Sequence, residues 1–293
     1  MAWLEGELPP LAASLLLYVI AFSVCFFLYT VTKLVTPKTL QPYMADFFKT
    51  LVICTYPYGH GLIRETYGHV GYCLAAVPLV VFTLNVFSKG LSSPLAIFLE
   101  FLDKKHTSLD MVIHIAVQIV AGFASFRLVR FVWYLEMHSS HVLKLNEIDC
   151  VTDLTVPVTV GFLIEMAGVG IDTLISCMTL FRNELVDLTV KVFIGAILVC
   201  CGVHMTGMYM HPVMASGLTF GCRGTSAWEH VLVYWASGFI GCYVAFVLHR
   251  TLTSLGKTKK LKTDTANNES RKMEQNANYM DYPQRADIRL RKP

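Results

Sequence analysis

The sequence predicts an all-α membrane protein built as an inverted repeat, and three observations predict it. The 293-residue chain is 54% hydrophobic and only 15% charged, with a mean hydropathy of +0.52, whereas soluble domains run near a quarter charged. Its apolar residues gather into runs that approach or exceed the about 20 residues a membrane crossing needs. Two further apolar segments are shorter, and each begins at an X-Pro step, one in each half of the chain.

The elements follow in chain order. The run 11–35 carries no charge before Lys33. It lacks the basic leader of a signal peptide, since "MAWLEGELPP" is acidic, so an uncleaved spanning helix is expected. Further runs cover 43–58, 71–87, 109–134, 154–180, 188–209 and 228–248, which makes seven expected spans. Residues 251–293 are polar and are expected to form a disordered basic tail. Its cations, Lys257, Lys259, Lys260, Lys262, Arg271 and Lys272 among them, share a side with Lys33, Lys38, Lys104 and Lys105. Cytoplasmic segments carry the excess of lysine and arginine. The N-terminus is therefore expected outside or in the lumen, and the tail in the cytoplasm. Asn268-Glu269-Ser270 matches a glycosylation sequon, but this topology puts it on the wrong side. With the basic residues concentrated in the tail, the net charge of +3 is no nucleic-acid signal, and no such partner is expected.

The short segments are "SPLAIFLEFL" (93–102) and "HPVMASGLTFG" (211–221). At about ten residues each, neither can cross a bilayer. Proline suits the first helical position; serine is a good N-cap and histidine a weaker one. Each segment is therefore expected to be a half-helix starting abruptly at Ser93-Pro94 or His211-Pro212. Irregular backbone at membrane depth survives only where protein or water surrounds it. One such segment in each half points to inverted repeats whose half-helices enter from opposite faces and meet near the midplane. A helix N-terminus carries roughly +0.5 charge and free N–H donors. Two facing N-termini would orient a neutral polar solute and repel cations, which favours a pore over an enzyme. A seven-helix receptor has no place for two sub-spanning X-Pro segments.

These residues resemble the aquaporin (major intrinsic protein) family. "TGMYMHPVM" is similar to the family's second Asn-Pro-Ala loop, with His211-Pro212-Val213 as the tripeptide. "HIAVQIVAGFAS" resembles the third core helix, with Gln118 and Gly122 in family positions, and "VLVYWASGFIG" the sixth, with Gly238 where proline is usual. Glu165 matches the acid of the fourth core helix and Asp46 that of the first. The first tripeptide is Ser93-Pro94-Leu95, with Gly90 one residue out of step. Degenerate tripeptides, an additional N-terminal helix and Cys222 beyond the second tripeptide resemble the unorthodox superaquaporin branch (aquaporin eleven/twelve-like).

The resemblance implies an aquaporin-like inverted repeat of six core transmembrane helices, two re-entrant half-helices and an additional N-terminal transmembrane helix. Its domains would be 1–40 (extra helix and linker), 41–250 (channel) and 251–293 (tail). It implies a channel for water or small neutral solutes such as glycerol or hydrogen peroxide. A non-conducting organiser or adhesion protein on the same scaffold is the alternative. Val199, Met208 and Met214 fall at constriction positions, with Met214 in the usual place of arginine. The fourth constriction position has no placement in the first half. Asp46 and Glu165 would support the two loops, and neutral His211 would donate to a solute. A homotetramer in the lipid bilayer of the endoplasmic reticulum is implied at the level of family and branch, with the plasma membrane as the other candidate.

Nothing in the pattern calls for a cofactor, and no nucleophile triad or phosphate-binding glycine loop occurs. The nine cysteines are scattered without a CxxC pair and are expected to behave as small buried hydrophobes. His204 and His211 are separated by a helix break, and His138 and His141 lie in a loop. Neither pair has a carboxylate at zincin spacing, so no metal is expected.

Overall fold

The structure is a computed structural model that describes residues 8–147 and 149–255. Among the described residues the chain is helical, with one isolated parallel bridge between Val151 and Arg223. In order the helices are α1 (Pro10–Val35), α2 (Gln41–Thr55), α3 (Pro57–Val86), α4 (Pro94–Leu102), α5 (Ser108–Trp133), α6 (Ser139–Asn146), α7 (Val158–Cys177), α8 (Glu184–Thr206) and α9 (Pro212–Thr219). The last, α10, is the helix Ala227–Leu255, with a π-helical stretch at Val231–Ala236. The chain falls into two compact units, Met1–Phe246 and Val247–Pro293. Of the second, only residues 247–255 are described and they are helical, so the tail expected to be disordered from 251 begins as helix; the rest of it, with the sequon, lies outside the described residues.

Among the described residues six helices are long and apolar enough to cross a membrane: α1, the run Gln41–Val86, α5, α7, α8 and α10. The runs expected at 43–58 and 71–87 thus belong to one helical stretch of 46 residues, about twice what a crossing needs. That stretch is not straight. Gly68 sits at φ 65°, ψ −166°, a conformation glycine alone adopts readily. The rings of His60 and Tyr72 lie 5.3 Å apart, where a straight helix would separate them by about 18 Å. Tyr56 Oη and Thr83 Oγ1 are also hydrogen-bonded at 2.7 Å. The run is therefore a hairpin whose arms, 41–67 and 69–86, pack back on each other.

Local chemistry sets the helix ends. Asn183 accepts from the N–H groups of Leu185 and Val186 to start α8, and Gly207 ends it in the left-handed conformation at φ 78°. Thr107 caps α5, and a Ser226–Glu229 capping box starts α10. Packing then sorts the faces. α1 buries Leu17, Tyr18 and Cys25, with Tyr18 Oη 2.7 Å from His60 Nδ1 and Ser14 donating to Gly59 O at 3.2 Å. Phe27, Leu74, Val120 and Phe131 point outward, the apolar exterior that hydrocarbon requires of a spanning bundle.

Two contacts tie the bundle closely. A Cβ on Gly241 would stand 2.3 Å from the Met166 carbonyl, and one on Gly122 would stand 2.3 Å from Val213 Cγ1. Small residues let helices approach to this distance. The expectation for the cysteines fails at two positions, because Cys150 and Cys222 form a disulfide. Their separation of 72 residues left no signal in the sequence. They meet because the segment after α6 folds over the end of α9: Arg223 N donates to Cys150 O, and Thr152 N to Arg223 O, each at 2.9 Å.

Denaturing alkylation should therefore modify seven cysteines without reductant and all nine after reduction, read by intact mass. Loss of the bridge in a Cys150→Ser/Cys222→Ser pair should cost about 2–4 kcal/mol of stability. Gly241→Ala, aimed at a carbonyl, should lower the thermal midpoint by the equivalent of about 1–3 kcal/mol. Gly170→Ala, whose new Cβ meets its nearest neighbour at 3.5 Å, should be close to neutral in the same assay.

Candidate functional site

The two short helices begin at their X-Pro steps. Ser93 is extended (φ −136°, ψ 141°), and its hydroxyl accepts from Leu95 N at 3.2 Å. His211 is likewise extended (φ −150°, ψ 100°), and its Nδ1 accepts from Met214 N at 3.1 Å. The other ring nitrogen, Nε2, donates to Ser92 O at 2.7 Å. This pattern defines a neutral imidazole: Nδ1 must be bare to accept, and Nε2 must carry the proton. It also departs from the expectation of a solute donor, because the one ring N–H is committed to the opposite loop. Pro94 and Pro212 are buried. The two starts share a neighbour, since a Cβ on Gly238 would lie 3.6 Å from both Leu95 and Pro212. Val213 is seated against Gly122 of α5.

The loops before these helices hang on buried charged side chains. In the second, Glu165 Oε1 accepts from Thr206 Oγ1 at 2.7 Å and Tyr209 N at 3.1 Å, while Oε2 accepts from Met210 N at 3.0 Å. In the first, Asp46 Oδ1 accepts from Leu91 N at 2.7 Å, and Oδ2 from His114 Nδ1 at 2.8 Å and Gln118 Nε2 at 2.9 Å. Burying a carboxylate is costly unless such donors surround it. Sequence reasoning missed Lys49, which is buried one turn after Asp46 and donates to Gly90 O at 2.7 Å. The signal was a lysine inside an apolar run, three residues after an acid in "DFFK". Gly90 itself cannot carry a side chain, because a Cβ would stand 2.5 Å from Ala45 O.

The second loop is strained. Met208 and Met210 have φ of 44° and 49°, left-handed values that ordinary residues adopt at a cost of order 1 kcal/mol or more. Thr206 Oγ1 accepts from Met208 N at 3.0 Å and Glu165 accepts the next two N–H groups, so hydrogen bonds offset the strain. Tyr58 Oη donates to Gly217 O at 2.9 Å, and Tyr234 Oη to Thr206 O at 2.8 Å.

Beside this loop opens a cavity of about 570 Å³. Val199, Met208 and Met214 all line it, together with Tyr72 from the second arm of the hairpin. Met208 is buried, its sulfur set against Gly202 and its methyl against Gly168. Charged groups of both signs, among them Arg64 and Asp153, share the lining, and so does Cys150 of the disulfide. Of the histidines weighed for a metal, His138 and His141 have ring centroids 6.2 Å apart, and His141 lies in α6 rather than in a loop. His204 pairs with the His69 ring at 5.8 Å, and His138 caps α6. Burial, with His138 nearby, pushes the His141 imidazole down to about 4, so it is neutral.

No family model matches the chain. Aquaporin-11 of Milnesium tardigradum is 21% identical over 247 residues, 83% of this chain and 88% of that protein. Aquaporin SIP1-1 of Arabidopsis thaliana is 32% identical over 68 residues, 23% of this chain and 28% of that protein. The X-ray structure of the aquaglyceroporin from Plasmodium falciparum superimposes with a TM-score of 0.57 at 14% identity, covering 71% of this chain and 94% of that one. At that identity the likeness concerns the fold.

Glu165→Gln tests the clamp without changing its size. An amide NH₂ would face backbone N–H donors, so a loss of about 1–3 kcal/mol is expected in thermal or denaturant unfolding. Glu147→Gln at an exposed position should stay within about 0.5 kcal/mol.

Proposed function

The chain belongs to the aquaporin family, and from that premise we propose that it is a passive membrane channel for water and small neutral solutes of the glycerol or hydrogen peroxide class. One observation carries the reading: two helix N-termini, at Pro94 and Pro212, meet beside a cavity walled by Val199, Met208, Met214 and Tyr72. Each arm of the 41–86 hairpin then counts as one crossing, α4 and α9 are re-entrant half-helices, and α1 is additional to a core of six. The clamps support the repeat, since Asp46 and Glu165 perform the same task at the first helix of each half.

Selectivity follows from what the passage lacks and what it keeps. The tripeptides Ser93-Pro94-Leu95 and His211-Pro212-Val213 offer no asparagine amide, and the ring N–H of His211 is taken by Ser92. Met214 replaces a fixed cation with an apolar side chain. The helix dipoles remain at the meeting point, while the cavity wall carries charges of both signs, Arg64 and Asp153 among them. That combination disfavours cations and tolerates an uncharged solute with some apolar surface. In the proposed orientation, with the tail cytoplasmic, Cys150 and Cys222 lie on the lumenal or outer side. A disulfide there suits the oxidising side of the endoplasmic reticulum or plasma membrane. Assembly as a homotetramer and placement in the endoplasmic reticulum follow the proposed superaquaporin branch.

The same commitment of His211, with long methionines at the cavity, favours a second reading as a non-conducting organiser on this scaffold. Vesicles separate the two. With purified protein they should shrink faster than empty vesicles under osmotic shock, and Met214→Arg should reduce glycerol flux more than water flux. Water, glycerol and peroxide fluxes all equal to the control, from protein that remains folded, would leave the organiser reading standing.

A further inference from the structure

Away from the cavity, where α5 begins, side chains from α2, α5 and the segment before α5 converge on Asp110. His106 Nδ1 contacts Asp110 Oδ2, and its Nε2 is 2.9 Å from Glu100 Oε2. His114 Nε2 is 3.7 Å from Asp110 Oδ1, and its Nδ1 is 2.8 Å from Asp46 Oδ2. Tyr43 Oη donates to Asp110 Oδ1 at 2.5 Å. The two imidazoles are thus arranged alike: each has one nitrogen on an outer carboxylate and the other facing Asp110. Potential ligand atoms of His106, Asp110 and His114 lie within 4.8 Å of one another.

Asp46 also accepts from Leu91 N and Gln118 Nε2, so it is an acceptor on both oxygens and Nδ1 of His114 carries a proton towards it. The other ring nitrogen, Nε2, faces Asp110 Oδ1 at 3.7 Å, beyond hydrogen-bond distance. A carboxylate or carbonyl on the far nitrogen is how proteins orient metal-binding histidines and raise their basicity. Here the arrangement occurs twice. The cluster also gathers Asp46, Glu100 and Asp110, with Lys105 3.6 Å from Glu100.

We propose that His106 Nδ1, Asp110 and His114 Nε2 form a binding site for a divalent transition metal of the zinc class. Glu100 and Asp46 act as the outer carboxylates that fix the two rings. Two imidazoles and a carboxylate suit zinc rather than calcium or magnesium, which prefer oxygen ligands. Zinc bonds of about 2.0–2.2 Å set tetrahedral ligand atoms about 3.4 Å apart, so His106 and Asp110, now in hydrogen-bond contact, must part slightly while His114 draws in. The metal takes the place of any proton on His106 Nδ1, which leaves to solvent, and a water completes the coordination. His106 and Asp110 are partly exposed, with side-chain accessibilities of 22% and 29%, so an ion can enter. Asp46 links the site to the first loop through Leu91 N, which places the metal two side chains, His114 and Asp46, from the backbone leading into α4.

Tag-free, full-length protein stripped with a chelator provides the test. Addition of Co²⁺ should produce visible d–d absorption saturating at one equivalent, and Zn²⁺ should bleach it. His106→Gln and Asp110→Asn should each weaken Co²⁺ binding by roughly 100-fold, while His69→Gln, in a distant histidine pair, should not. His106 lies outside the helices, so its variant remains informative if Asp110→Asn misfolds. Absence of a stoichiometric spectrum in the wild type, or unchanged binding in folded His106→Gln, would overturn the proposal.

Discussion

Asp46 and Glu165 hold irregular backbone in place inside a packing of apolar helices, and the rest of the site depends on that. A buried N–H left without an acceptor costs roughly 1–3 kcal/mol, and each loop presents N–H groups that no helix can satisfy. Both carboxylates are at most 2% exposed and take their hydrogen bonds from those loops and from neighbouring side chains. Because the loops are held, α4 and α9 can start where they do. Because the second is held, Met208 and Met210 can keep left-handed backbones and set the Met208 side chain against Gly202 and Gly168.

The two halves solve the same problem with different chemistry. In the second half Glu165 works with Thr206, its neighbour across the helix interface. In the first half the shorter acid shares the task with Lys49, Gln118 and His114. α5 is common to both: Gln118 and His114 serve the first loop, and Gly122 receives Val213 of the second short helix. His211 then joins the halves directly through Ser92 O. His211, at the start of the second short helix, thus acts as a latch between loops, with its one ring N–H committed there.

A second level of support lies at the end of α9. The disulfide, the Val151–Arg223 bridge and the bond from Thr155 N to Met205 O at 2.9 Å strap the segment around 150–155 across the ends of α8 and α9. The strap places Cys150, Val151 and Asp153 at the cavity. Groups of both charge signs thus border the cavity, and they come from segments distant in sequence.

The sequence by itself determined the apolar spans and the starts of the two short helices. Apolar runs and the X-Pro steps at Ser93 and His211 are local features, and local backbone chemistry acts within a few residues. It also placed two acids inside apolar runs, where burial demands partners. It did not determine who the partners are. A reversal between the runs 43–58 and 71–87 was legible from the polar stretch that parts them; that the backbone stays helical up to a turn at Gly68 was not. Lys49 with Gly90, His211 with Ser92, Tyr72 at the cavity, Cys150 with Cys222, and Asp46 and Glu100 around the α5 histidines were all decided by the tertiary structure. Each pairing joins residues from different helices or loops, and a pattern along one chain carries no record of which distant backbone will pass within hydrogen-bonding distance.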